Sequence, residues 1–294
     1  MKSLVVASGK GGVGKTVIAA SLSLIFHRRG LRPVVAEGDV DTPNLHLLLG
    51  FNHSSRPAEV VRASRKAYIV ADKCTGCGLC LRTCQFSAIE RRGGRYYVDR
   101  YLCEGCGACR LVCPAEAINL REEITGEIYV GITRYGFPMV TAKLRVGEKN
   151  SGLLVTKVKE RALLLEGDVA VIDGAPGIGC EVIAALSGSD CLVAVTEPTP
   201  ASFNGFKRLL ELASCFRLPV GLIINKYNIS WRYASFLESY AEGKGVKILA
   251  KLPLDFKVVE SVAASRPIVD YEPSSAVSKG LEEAAGLILD SLLK

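Results

Sequence analysis

The sequence has one glutamine, Gln85, and two methionines in 294 residues. So few thermolabile side chains suit a heat-adapted protein. It also lacks any apolar run near the roughly 20 residues of a membrane helix. Leu4-Val5-Val6-Ala7 and Val169-Ala170-Val171-Ile172 are typical of its hydrophobic stretches. The N-terminus enters the first of these within three residues and shows no cleavage site. No signal peptide is expected, and the chain reads as cytoplasmic. With 49% hydrophobic and 23% charged residues of both signs, it is not a disordered tail, a collagen or a coiled coil. The length suits one large or two medium domains that need no disulfide staples. What is abundant is cysteine, eleven in all. Without an export signal, that number indicates metal binding or catalysis. The formal charge of +7 is compatible with nucleic acid, an acidic membrane surface or an acidic ligand.

Eight of the eleven cysteines fall between Cys74 and Cys113, which marks a segment with its own chemistry. Its left edge, Asn52-His53-Ser54-Ser55-Arg56-Pro57, reads as an exit loop, and its right edge is the charged run Arg121-Glu122-Glu123. The flanks read as one α/β domain in two parts, residues 1–60 and 122–294, interrupted by an insertion at 61–121. Pro33-Val34-Val35-Ala36, Cys191-Leu192-Val193-Ala194-Val195 and Val220-Gly221-Leu222-Ile223-Ile224 are continuous apolar strands. They alternate with helical stretches, which predicts a mostly parallel sheet with helices on both faces. Gly30 stands where a helix-ending glycine belongs. Glu127-Ile128-Tyr129-Val130 and Val140-Thr141-Ala142-Lys143-Leu144 flank a Gly/Pro turn and predict a hairpin.

Gly9-Lys10-Gly11-Gly12-Val13-Gly14-Lys15-Thr16 follows a strand and opens a helix, the setting of a phosphate-binding P-loop. Glycines let backbone N–H groups turn inward around phosphate oxygens, and the helix N-terminus adds a positive dipole end. Lys15 suits neutralising β- and γ-phosphate oxygens, and the Thr16 hydroxyl suits Mg2+. ATP and Mg2+ are the expected ligands.

The second lysine, Lys10, makes this the deviant Walker A form, and here the chain resembles the MinD/ParA/Mrp class of P-loop ATPases. The resemblance implies that Lys10 reaches a partner's phosphates across a nucleotide-dependent homodimer. Val35-Ala36-Glu37-Gly38-Asp39-Val40-Asp41-Thr42-Pro43-Asn44-Leu45 resembles switch I, with Glu37 at the first acidic position and Asp39 at the second. Asp39 is then expected to position the attacking water and the metal's water shell, so that Lys10, Lys15 and Asp39 form the catalytic set. Asp41 reads as a loop carboxylate. Val171-Ile172-Asp173-Gly174-Ala175-Pro176-Gly177-Ile178-Gly179 resembles Walker B and switch II, which makes Asp173 a holder of Mg2+-bound water. Asn225-Lys226 resembles the adenine-edge motif, because Asn offers a donor and an acceptor and the Lys stem covers a ring. Pro253-Leu254-Asp255 is expected on the other side of the base.

Cys74, Cys77, Cys80 and Cys84 follow Cys-x-x-Cys-x-x-Cys-x-x-x-Cys, and Cys103, Cys106, Cys109 and Cys113 repeat it at an offset of 29 with Pro114 following. This is the bacterial ferredoxin pattern, in which the fourth cysteine of each run ligates the other cluster. The expected sets are Cys74, Cys77, Cys80 and Cys113 for one [4Fe-4S] cluster and Cys103, Cys106, Cys109 and Cys84 for the other. Gly76, Gly78, Gly105 and Gly107 let backbone N–H groups approach sulfur. Zinc suits paired Cys-x-x-Cys, but the third and fourth cysteines fit cubanes better. Gln85 stands where a proline often follows the fourth cysteine. The arrangement resembles MinD-superfamily ATPases carrying an inserted α+β two-cluster ferredoxin domain.

Cys180 lies seven residues after Asp173, an offset at which the nitrogenase iron protein has a cysteine that ligates a dimer-bridging cluster. A small, partly buried cysteine near a helix start is the plainer reading. Cys191 and Cys215 read as core packing. Three functions compete: an ATP-coupled redox protein with a redox partner, an ATPase for iron–sulfur or metallocofactor assembly that serves an apo-protein acceptor, and a positioning ATPase of the MinD/ParA kind. The C-terminal stretch carries Glu282, Glu283 and Asp290 against Lys279 and Lys294, unlike a basic membrane-binding helix, so no membrane partner is expected. Residues 56–121 hold twelve Lys/Arg and six Asp/Glu, so +6 of the +7 lies there. Two oxidised clusters with their thiolates would offset about −4 of it. The case for nucleic acid is then weak, and the basic residues read as compensation for the clusters.

Overall fold

The computed structural model describes residues 1–53 and 57–293. Ser54, Ser55 and Arg56, in the expected exit loop, lie outside the described residues. The chain starts with β1 (Lys2–Ser8), α1 (Lys15–Arg28), β2 (Pro33–Gly38), α2 (Leu45–Leu49) and β3 (Asn52–His53). It continues through β4 (Glu59–Ile69), α3 (Leu79–Thr83), β5 (Ile89–Arg92), β6 (Arg95–Val98), α4 (Ala108–Leu111), β7 (Ile118–Ile132) and β8 (Pro138–Leu144). There follow α5 (Ser151–Leu163), β9 (Val169–Pro176), α6 (Cys180–Leu186), β10 (Cys191–Thr196), α7 (Pro200–Cys215) and β11 (Val220–Asn225). The last elements are α8 (Trp231–Glu242), β12 (Lys247–Leu252), α9 (Phe256–Ala263), α10 (Ile268–Tyr271) and α11 (Ala276–Ser291). Two compact units result: Met1–Ala58 with Ile128–Lys143 and Ser151–Lys294, and Glu59–Glu127 with Leu144–Asn150.

In the first unit the strands run in the order β12-β11-β10-β1-β9-β2-β8-β7-β3. The pairings from β12 to β8 are parallel. Leu4, Val5, Val6 and Ala7 of central β1 are fully buried, because helices cover both faces of a parallel sheet. Gly30 takes φ 85° just past α1, a conformation that glycine adopts without a Cβ penalty. Thr199 caps α7 by accepting from the Ser202 N–H, and Pro200 fills the first helical position. Leu281, Ala284, Ala285 and Ile288 of α11 are buried in the main core. The expected hairpin is β7 and β8, closed where the Thr133 N–H donates to the Phe137 carbonyl. The charged run Arg121-Glu122-Glu123, expected as the segment's right edge, lies within strand β7, and the second unit continues past it to Glu127.

In the second unit β4 pairs with β7, and β5 pairs antiparallel with β6. Gly93 and Gly94 both have positive φ (53° and 81°), as a two-residue hairpin turn requires. The sequence repeat is also a backbone repeat. Gly78 (φ 76°) precedes α3 and Gly107 (φ 79°) precedes α4. Ser87 and Glu116, 29 apart, both adopt left-handed backbone (φ 51° and 46°). The core of this unit is small: Ala67, Ala88, Ile89 and Ile118 close around Cys80, Cys103 and Cys109.

Candidate functional site

The carboxyl ends of β1, β2, β9, β10 and β11 converge on the P-loop. Lys15 donates to Asp173 Oδ1 at 3.1 Å, with Lys15 only 7% exposed and Asp173 fully buried. Burial pushes the Asp173 carboxyl up, and Lys15 and Thr16 oppose that without cancelling it. Asp173 Oδ2 is buried and has no partner, so the site retains one unused anionic acceptor beside Lys15 and Thr16. A hydrated divalent cation is a chemical match for that atom. Gly14 (φ 92°) leads into α1, and Asn225 lies where a Cβ there would fall, 2.5 Å from its Nδ2. Gly9 packs on Gly205 of α7, and a Cβ at Gly9 would sit 2.0 Å from the Gly205 carbonyl carbon.

Glu37 at the end of β2 is fully buried. Its carboxylate accepts from the Asp39 N–H at 3.3 Å, the Asn44 N–H at 3.0 Å and the Leu45 N–H at 2.9 Å. It therefore pins both ends of the loop that carries Asp39. Burial, then the nearby Asp173, pushes the Glu37 carboxyl up to about 8. Asp39 is half-buried, and its Oδ1 accepts from the Thr42 N–H and hydroxyl at 3.3 and 3.1 Å. Asp41 is exposed.

Lys10 pairs with Glu197 Oε1 at 2.9 Å, and Lys226 approaches Glu197 Oε2 at 3.3 Å. Burial would raise the Glu197 carboxyl, but Lys10 and Lys226 outweigh it and hold it below the usual range. Lys226 also donates to the Gly12 carbonyl at 3.1 Å, and Asn225 Nδ2 to the Val13 carbonyl at 2.8 Å. The two residues expected at the adenine edge thus brace the P-loop. Asp255 caps α9, accepting from the Lys257 N–H at 2.9 Å. Glu197 and Gly205 were not singled out by sequence. A carboxylate directly after the apolar strand Cys191–Thr196, and a glycine inside a helix, were the available signals.

The eight clustered cysteines divide four and four. Cys74, Cys77, Cys80 and Cys113 line one small cavity. Cys84, Cys103, Cys106 and Cys109 line another, with Glu104. Each cavity therefore takes three thiols from one run and the fourth from the other. N–H groups approach sulfur: Ala67 to Cys103 at 3.4 Å, Ala88 to Cys84 at 3.4 Å and Ala117 to Cys113 at 3.3 Å. Burial raises the Cys80 and Cys109 thiols, as thiols with no cation beside them. Among the described residues no three His, Cys, Asp or Glu side chains are arranged for a single metal ion. Four soft donors spread around a cavity, with N–H groups on sulfur, match the donor chemistry of an iron–sulfur cluster. Of the other cysteines, Cys180 opens α6 as expected but is exposed where a partly buried thiol was expected, and Cys191 is buried. Cys215, expected in the core, is exposed at the last turn of α7, where its thiol donates to the Glu211 carbonyl at 3.4 Å. The helix turns that position outward from its buried face.

A family profile described as CbiA, the CobQ/CobB/MinD/ParA nucleotide binding domain, matches residues 4–268. The uncharacterized protein MJ0578 of Methanocaldococcus jannaschii is 34% identical over 283 residues, covering 95% of this chain and 94% of its own. A second uncharacterized protein of that organism, MJ0579, is 26% identical over 313 residues, covering 98% of each. Among solved structures, the septum site-determining protein MinD of Pyrococcus horikoshii, complexed with Mg-ADP, superimposes with a TM-score of 0.62 at 18% identity. It covers 100% of this chain and 98% of its own. The MinD cell division protein of Aquifex aeolicus gives 0.59 at 18% identity over 99% and 98%. At these identities the structural likeness is one of fold. Among the described residues no helix is long and apolar enough to cross a membrane.

Proposed function

Because the chain belongs to the CobQ/CobB/MinD/ParA family of P-loop nucleotide-binding proteins, we propose that it is a Mg2+-dependent ATPase whose nucleotide state is coupled to electron transfer through two [4Fe-4S] clusters. The observation that carries this reading is the crossed four-and-four gathering of thiols in a chain that also holds the buried Lys15–Asp173 pair. In this reading Gly9, Lys10, Gly11, Gly12, Val13, Gly14, Lys15 and Thr16 bind the phosphates, with Lys15 leaving Asp173 as it does so. Thr16, Asp39 and Asp173 hold Mg2+ directly or through water, and the ion neutralises charge on the phosphates. Asp39 orients the attacking water, and Glu37 keeps Asp39 in reach by holding its loop. Asn225 and Lys226 bind the base from the positions at which they brace the P-loop. Cys74, Cys77, Cys80 and Cys113, and Cys103, Cys106, Cys109 and Cys84, hold the two clusters, which supply one-electron storage. The insertion at 61–121 is the electron-carrying domain between two parts of the ATPase, and a nucleotide-dependent homodimer docks a redox partner.

An anaerobic redox titration with no nucleotide, MgADP and a non-hydrolysable MgATP analogue tests the coupling. A nucleotide-dependent shift of tens of millivolts is expected. No shift, together with efficient cluster transfer to an apo-protein acceptor, would assign the chain to cofactor assembly. Hydrolysis stimulated by DNA would assign it to positioning.

A further inference from the structure

The two thiol loops are repeats of each other, so a difference between them is informative. Gly76 and Gly105 occupy the same place, with φ of 74° and 67°. Strand β4 seals the second loop. A Cβ on Gly105 would lie 2.0 Å from the Arg65 carbonyl oxygen, Lys66 Nζ donates to the Cys103 carbonyl at 2.8 Å, and the Ala67 N–H meets Cys103 sulfur. Cys103 is buried. Its counterpart Cys74 is half-buried, and a Cβ on Gly76 would meet nothing within 4 Å.

The open space beside Gly76 is a cavity of about 500 Å3, entirely within the second unit. Cys74 and Gly76 form one wall; Tyr68, Arg95, Tyr96 and Tyr97 form others. Gly94, at the tip of the β5–β6 turn, is equally unobstructed. The lining has three phenol rings and one guanidinium but no carboxylate. Two further guanidiniums lie over its rings: Arg121 is 5.4 Å from the Tyr68 centroid, and Arg91 is 6.0 Å from that of Tyr96. Flat aromatic walls with exposed guanidinium charge favour a planar ring bearing a negative group. Its volume is in the range of small-molecule sites.

We infer that the cavity beside Cys74 binds a planar aromatic anion of the flavin mononucleotide class, a redox carrier seated against the thiol set of Cys74, Cys77, Cys80 and Cys113. Its redox role rests on the cluster reading; the binding does not. With a cluster held by these thiols, one electron would pass between the two, the carrier being oxidised as the cluster is reduced. The loop sealed by β4 is the inner site, and the open one is where electrons enter or leave.

The test is anaerobic titration of FMN into the full-length protein, read as quenching of flavin fluorescence, with riboflavin and inorganic phosphate as controls. Saturable quenching by FMN is expected, with riboflavin weaker because it lacks the phosphate. Arg95→Glu is expected to weaken FMN at least about tenfold, the loss of one charge-assisted contact. The same variant keeps its iron and sulfide content. Tyr97→Leu is a second variant on an exposed ring and is expected to reduce quenching. Absence of saturable quenching, or FMN affinity unchanged in both variants, would overturn the proposal. Iron and sulfide analysis reads the cluster assignment separately: protein without iron that still binds FMN through Arg95 would refute the clusters and keep the site.

Discussion

The two units solve the problem of buried polarity in opposite ways. In the first, a large apolar sheet core carries a few charged side chains at its rim, and these find partners while one oxygen of Asp173 stays open: Lys15 with Asp173, Lys10 and Lys226 with Glu197, and Glu37 with three backbone N–H groups. In the second, the reactive groups are the core. Cys80, Cys103 and Cys109 stand among two alanines and two isoleucines in its buried cluster. A small apolar core of that kind gives the unit little stability of its own, so under the cluster reading its stability is expected to depend on what the thiols hold.

The largest expected effect follows from that contrast. Removing iron with a chelator, or replacing Cys80 by serine, is expected to unfold the second unit while leaving the first folded. Limited proteolysis should then cut within 59–127 and nowhere in α1 or β9. Uniform cleavage of both units would erase the distinction. Next in size is Lys15→Met, which leaves Asp173 buried without its cation. It is expected to cost about 3–5 kcal/mol of stability in denaturant unfolding and to abolish nucleotide binding.

A pH effect comes third. Glu37 binds its proton up to about pH 8 in the folded chain, against about 4.5 for an ordinary carboxyl. The folded state therefore holds more protons than the unfolded one between these values, and stability falls as pH rises through that window. Glu37→Gln is expected to flatten this slope in denaturation midpoints measured from pH 5 to 8. An unchanged slope would place the charge elsewhere. Smallest is Glu197→Gln, which frees Lys10 and Lys226 from a carboxylate that competes with phosphate. It is expected to tighten nucleotide binding several-fold, less than about tenfold, in a titration with a fluorescent ADP analogue. Weaker binding would make Glu197 a support for the lysines.

What was legible in the sequence was local. The P-loop and the two cysteine runs are contiguous, so their glycines and spacings carry their own geometry, and apolar strands identify a parallel sheet without any knowledge of its order. The pairings across the sheet were not legible. Glu197 meets Lys10 only because β10 lies beside β1, and Gly205 meets Gly9 only because α7 packs over that pair. Glu37, at the first acidic position of the resembled motif, meets three N–H groups that the turn into α2 aims at it. Cys215 was misplaced because its outward direction depends on helical phase at a chain end. The inclusion of Leu144–Asn150 in the second unit depends on contacts such as Lys66 with Glu148, 3.9 Å apart, which no local pattern announces.

The crossed thiols also limit how the second unit could have arisen and how it can be filled. Cys84 belongs by chain to the first run and by space to the second cavity, and Cys113 is its mirror. Neither half is a module. Each cavity borrows a wall from the other run, so filling one is expected to order part of the other.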